Sequence, residues 1–187
     1  MIILITLFVL IAPVIFLVIM YNNLVDRKNS VEQAESDIDA QYKKRFDLIP
    51  NLVETVRAYM SHERETLVQL TELRTQAISG EMSRKDLENM SSKAGRLGRG
   101  LMFQVENYPD LKASNNFMQL QATWTEVEEQ LSAARRTYNA SVKDYNNGLE
   151  QFPTNFMART MGYSVKEYIE IPEEARENIS AKDLFNS

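Results

Sequence analysis

The pattern of apolar and polar positions divides the chain at Met20. Ile2 to Met20 reads IILITLFVLIAPVIFLVIM, an apolar run without a charge and with Thr6 as its one hydroxyl. As a helix it would be about 29 Å long, close to the hydrocarbon core of a bilayer. Ile2, Leu4, Leu7, Leu10, Pro13, Phe16 and Ile19 mark this candidate transmembrane anchor, and a spanning helix tolerates the kink of Pro13. From Tyr21 onward the chain is polar enough for water. The pattern predicts a transmembrane anchor over 1–21 and a helical bundle domain over 22–152. A short amphipathic helix with an acidic C-terminal tail follows over 153–187.

Beyond the anchor the apolar spacing is helical throughout. Leu24, Val31, Ala34, Ile38 and Tyr42 fall three, four and seven residues apart, one face of a helix continuing to about Phe46. A second segment, from Pro50 to about Ser79, places Val53, Val56, Met60, Leu67, Leu70, Leu73 and Ala77 on one face, and Ser79-Gly80 stops it. A third, from about Ser83 to Asn107, aligns Leu87, Met90, Ala94, Leu97, Leu101 and Val105, with Ser83 and Asp86 as a capped start. The fourth and longest, from about Ala113 to Gln151, repeats Phe117, Trp124, Leu131, Tyr138 and Tyr145 every seven residues, with Leu120, Val127 and Ala134 three positions on. That is a coiled-coil-like heptad seam.

The expected fold is therefore all-α: an N-terminal transmembrane helix followed by an antiparallel four-helix bundle with long helices. Two readings of Pro50 are open. In the preferred one, Asp47 caps a new helix and Pro50 occupies its first turn, which makes a hairpin. In the other, Pro50 only kinks one very long helix. With a hairpin, Arg45 and Asp47 at the first turn and Tyr108 and Asp110 at the third turn share the end of the bundle remote from the membrane. Together with Pro50 and Asn51, they form a candidate partner contact. The segment after Gln151 then returns to the membrane, carrying Phe152, Phe156, Met157 and Met161. It is expected either to lie in the lipid interface or to cap the base of the bundle.

A cleaved signal peptide fits the N-terminus poorly. Nothing basic precedes the apolar run, and Val18 to Asn22 offers no small residues for cleavage. Without a Cys, a lipid anchor at the end of the run is excluded too. Arg27, Lys28, Lys43, Lys44 and Arg45 all follow the anchor, so the positive-inside rule places the N-terminus outside and the bundle in the cytoplasm.

Composition narrows the chemistry. Zero Cys and one His leave no thiol chemistry and no His cluster for a metal, and the net charge of −5 argues against nucleic acid as a partner. His62-Glu63 lacks the second His of a zinc-protease helix. Gly95-Arg-Leu-Gly98-Arg-Gly100 has neither the preceding strand nor the following Lys-Ser/Thr of a phosphate loop, so close helix packing is the better reading of its glycines. Arg84, Lys85, Lys93, Arg96 and Arg99 read as a solvated basic face. Tyr138-Asn139 and Tyr145-Asn146 repeat one heptad apart. The tyrosines belong to the seam, and the asparagines stand beside it, where side-chain amides can fix register across helices or offer a polar strip to a partner.

Several strings line up with one family: Tyr21-Asn22-Asn23-Leu24-Val25, Asp47-Leu48-Ile49-Pro50-Asn51-Leu52-Val53, Tyr108-Pro109-Asp110-Leu111-Lys112-Ala113, and Arg135-Arg136-Thr137-Tyr138-Asn139. In this order they closely resemble the bacterial LemA family, over nearly the whole chain. The resemblance implies a single-pass membrane protein with a helical bundle domain and no established activity. It also implies a context of membrane remodelling in organelle-forming bacteria or of a membrane metalloprotease. The expected function is a non-enzymatic, membrane-anchored scaffold or adaptor in the bacterial inner membrane. It would use no cofactor and no metal. Its partners would be the lipid bilayer, a membrane or membrane-proximal protein, and other copies of the chain. Regulation of a membrane protease or envelope-stress system is the alternative that the resemblance suggests.

Overall fold

The computed structural model describes residues 1–60, 62–80 and 82–170. All regular structure among these residues is helical: α1 (Ile2–Arg57), α2 (Arg64–Ile78), α3 (Arg84–Gln104), a 3-10 turn (Val105–Asn107), α4 (Pro109–Lys112), α5 (Asn115–Glu150) and α6 (Thr154–Thr160). Of the acidic tail expected after Gly162, the part beyond residue 170 lies outside the described residues.

The hairpin expected at Asp47–Pro50 is not there. α1 runs through Pro50 without a break and stops only at Arg57. A proline inside a helix removes one backbone hydrogen bond and crowds the preceding turn, at about 3 kcal/mol. The burial pattern shows what offsets this. Leu24, Val31, Ile38, Arg45 and Leu52 recur every seven residues and are all at most 2% exposed. Tyr42, Ile49 and Val56 form a parallel row, each at most 1% exposed. Both rows pass Pro50 without a change of phase. A turn at that point would pull Ile49, Leu52 and Val56 off the stripe, each with roughly 1.5–3 kcal/mol of burial. The Pro50 ring itself faces solvent. The first connection is instead at residues 58–63, and the helices of 56, 15, 21 and 36 residues are less evenly matched than the sequence suggested.

The chain forms two compact units. One comprises Met1–Asp37 with Ala134–Ser187, and the other Ile38–Ala133. In the second unit, α2 buries Leu67, Leu70 and Leu73 and ends at Gly80, whose φ of +101° suits a residue without a Cβ. Ser83 caps α3 as expected, its Oγ accepting from the Asp86 N–H at 3.2 Å. The buried face of α3 matches the expected one only in part: Ala94, Leu101 and Val105 are buried as expected. Leu87, Met90 and Leu97 are only half-buried, and Ser91, Ala94, Gly95, Gly98 and Leu101 face inward. This stripe is small because two large groups from neighbouring helices occupy the space. The Arg45 guanidinium lies over Gly95, and the Trp124 indole lies over Gly98, where an added Cβ would stand 2.1 Å from Cζ2.

α5 carries its heptad as expected. Phe117, Trp124, Leu131, Tyr138 and Tyr145 are all at most 4% exposed. Its outer face is polar: among the described large apolar residues of α5, Met118 alone is exposed. α5 therefore presents no apolar stripe of the kind that would drive self-association.

Candidate functional site

The expected candidates separate into three places. The first is a polar cluster within the second unit. Arg45 is 2% exposed, and its guanidinium donates from Nη1 to the Ser91 carbonyl at 2.7 Å and to Ser91 Oγ at 2.8 Å. Its Nη2 lies 2.6 Å from Glu128 Oε1, and Arg99 approaches the same carboxylate at 3.2 Å. A planar guanidinium holds its donors in a fixed fork and so serves both partners at once in one geometry. Asp47 does not pair with Arg45 across a turn and caps nothing. It is an exposed residue inside α1, as are Pro50 and Asn51.

Tyr108 and Asp110 do not share an end with Arg45 and Asp47. The connection beside Tyr108 is residues 58–63, where the Tyr108 hydroxyl donates to the Glu63 carboxylate at 3.1 Å. Partial burial, then the Glu63 hydrogen bond, raise the Tyr108 pKa. Nearby, the end of α1 and one face of α2 enclose an open groove of about 690 Å³, lined by Val53, Arg57, Met60, Arg64, Leu67 and Val68 among others. This groove depends on where α1 ends and has no periodic signal of its own.

The third place is in the first unit, where the apolar run meets the folded domain. None of the side chains from Ile2 to Ile19 is buried, and Ile2, Leu4, Leu10 and Ile19 are each at least 60% exposed. Met20 ends this exposure abruptly at 7%, and Leu24 is fully buried. α5 runs antiparallel to this part of α1. Tyr145 faces Lys28 and Glu32, and one turn further on Gly148 lies against Leu24 and Arg27. A Cβ on Gly148 would stand 3.0 Å from Arg27 Cδ, and Arg27 Nη1 donates to the Asp144 carbonyl at 2.6 Å. Burial pushes the Tyr145 phenol up, with Tyr163 adding to the shift. At the exposed edge Lys28 pairs with Glu32 at 2.7 Å. This bond raises the lysine and lowers the carboxyl.

After α5 the chain turns through a cis Phe152–Pro153 bond into α6. Ala158 is buried at 2% and faces the domain, whereas Phe152 and Phe156 are 80% and 64% exposed. Their rings meet edge to face with centroids 6.2 Å apart. Met157 and Met161 are half-buried. The chain then leaves α6 at Gly162 (φ +68°) and runs extended along α5.

The two heptad-spaced asparagines hold this extended segment. Asn146 accepts from the Lys166 N–H and donates to the Lys166 carbonyl, both at 2.9 Å. Asn139 does the same at Ile169, again at 2.9 Å. Tyr138 adds a bond from its hydroxyl to the Glu167 carbonyl at 3.1 Å. Seven helical residues rise about 10.5 Å and three extended residues about 10 Å, so the two spacings match. The asparagines therefore read the main chain of a strap. They do not cross-link helices.

None of these places assembles a set of convergent nucleophile, base and acid. Among the described residues, no group of three or more His, Asp or Glu side chains is placed to hold a metal ion.

The chain is similar to several known proteins. Protein LemA of Metamycoplasma hominis is 26% identical over 165 residues, spanning 88% of this chain and 75% of its own. Magnetosome protein MamQ 2 of Paramagnetospirillum magneticum is 22% identical over 195 residues, spanning 90% and 71%. Magnetosome protein MamQ of Magnetospirillum gryphiswaldense is 20% identical over 185 residues, spanning 85% and 68%. The family model described as the LemA family matches residues 34–182. The chain belongs to the LemA family.

Proposed function

We propose that this protein is a membrane-anchored, non-enzymatic scaffold or adaptor, with α1 crossing the inner membrane and the folded domain on the cytoplasmic side. The observation that carries this reading is the change along α1 itself. A single helix goes from an apolar stretch with no buried side chain, Ile2–Ile19, to the fully buried Leu24 within five residues. Apolar side chains of that length left exposed in water would cost tens of kcal/mol, at about 25 cal/mol per Å². A bilayer removes that cost. Because the anchor and the domain share one helix, the domain is held at the membrane surface without a flexible linker. The basic residues that follow Met20 favour the cytoplasmic side.

The scaffold part of the reading rests on what the domain offers: long helical faces and an open apolar groove between α1 and α2. The relatives named as magnetosome proteins are proteins of a membrane-bounded organelle by that name, and a role in organising membrane proteins is the corresponding expectation for this chain. Lysine-directed cross-linking in intact membranes tests it. The exposed Lys43, Lys85, Lys93 and Lys143 should give reproducible cross-links to one membrane protein or to a second copy of the chain. Cross-links confined to the chain itself would contradict the proposal.

A further inference from the structure

We infer that α6 is a second membrane contact, with Phe152 and Phe156 inserted into the lipid interface beside the anchor. The inference rests on the membrane reading of α1 and concerns the level at which α6 sits. Gly148 lies against Leu24 and Arg27, and α5 runs towards the apolar run. α5 ends two residues later at Glu150, about 3 Å nearer the apolar run, and the turn at Phe152 follows near the level of Met20 and Tyr21, where that run ends. At this level the two phenylalanines are 80% and 64% exposed, and Tyr21, on α1, is 48% exposed. Arg159, also exposed, supplies a cation on the same short helix. Three exposed aromatic residues and a cation at the end of a membrane-spanning run form an interfacial belt.

α6 is built for two surroundings at once. Ala158 packs against the domain at 2% exposure, while the two rings pair with each other and stay mostly exposed. Capping the base of the domain accounts for Ala158. It leaves two large apolar rings in water, and the headgroup and acyl boundary next to the anchor removes them from it. The occupant of this face is therefore the bilayer that holds α1.

Because the chain has no Cys, single probes are straightforward. Full-length F152C, F156C, L10C and E129C, each carrying an environment-sensitive fluorophore, would be reconstituted into vesicles of phosphatidylcholine and phosphatidylglycerol. Lipids carrying a spin label just below the headgroup or deep in the acyl chain would serve as quenchers. The probes at 152 and 156 should emit to the blue of the E129C probe and lose fluorescence to the shallow quencher more than to the deep one. The L10C probe should respond to the deep quencher. Water-like, unquenched emission at both 152 and 156, with L10C quenched, would overturn the α6 contact and leave the anchor standing. An unquenched L10C probe would overturn both. Using two positions, Phe156 on α6 and Phe152 in the turn before it, guards against a local disturbance from either substitution.

Discussion

Asn139 and Asn146 lie one heptad apart on α5, and each side-chain amide makes a two-way bond with the main chain of the extended segment, at Ile169 and Lys166. Only main-chain atoms of the strap take part, and Ile169 is its one buried large side chain among the described residues, at 8% exposure. The strap is thus fixed by register more than by apolar area.

Removing either amide should free the strap locally. A hydrogen bond contributes about 1 kcal/mol net, so Asn146→Ala should accelerate amide exchange at Lys166 by roughly 30-fold for two lost bonds. Exchange within the α5 helix should change little. Asn146→Asp keeps an acceptor for the Lys166 N–H but turns a carboxylate towards the carbonyl, and should loosen the strap almost as much. Hydrogen exchange read by mass spectrometry checks both, with N139A giving the same result at Ile169.

The glycines of α3 should differ sharply from one another. Gly98→Ala drives a methyl group into the Trp124 indole and should cost about 1–3 kcal/mol or more by overpacking. Gly100 meets nothing within 4 Å, so Gly100→Ala should stabilise by about 0.5–1 kcal/mol through helix propensity alone. Thermal melts followed by circular dichroism should place the two variants on opposite sides of the parent protein.

Pro50→Ala tests the continuity of α1. In an unbroken helix the substitution restores a backbone hydrogen bond and relieves the ring's crowding of the previous turn, so it should stabilise by up to about 3 kcal/mol. If Pro50 began a new helix, the same change would be neutral or harmful. Denaturant midpoints of the two proteins decide between these outcomes.

How much of this was legible beforehand varied with the kind of signal. The heptads of α5 were plain because apolar residues occupy every seventh position. The same period runs through α1, but its central position is Arg45, and a charged residue there hid the repeat that links Ile38 to Leu52. The local rule for Pro50 then outweighed a tertiary stripe that was present but disguised. On α3 Ala94 and Leu101 marked the right face, whereas Leu87, Met90 and Leu97 drew it too wide and Ser91, Gly95 and Gly98 went unmarked, because the neighbours supply the bulk and α3 supplies the space. The role of Asn139 and Asn146 was half visible. Their spacing marked them, but their partner is an extended segment with no periodicity to announce it. The exposed rings of α6 were legible as candidates, while their level relative to Met20 required the packing of Gly148.

Tyr145 sets an alkaline limit. Burial raises its pKa above the ordinary value of 10.0, so the folded protein keeps this proton at a pH where the unfolded chain releases it. The unfolded state then binds fewer protons, and stability falls as pH rises. The contribution is complete below pH 10 and is lost between there and the folded-state value. Urea melts on either side of that pH should show the loss, and Tyr145→Phe should remove part of it.

In the proposed function, α1 fixes the folded domain to the cytoplasmic face of a membrane. A single Cys at the exposed Gln121, in a chain otherwise free of thiols, tests it most directly. Cells producing full-length Q121C would be treated with a membrane-impermeant maleimide, intact or permeabilised, and the protein recovered from the membrane fraction. Labelling is expected only after permeabilisation, with the protein retained in the membrane pellet after carbonate washing. Labelling in intact cells would contradict the cytoplasmic placement, and loss of the protein to the carbonate supernatant would contradict the anchor.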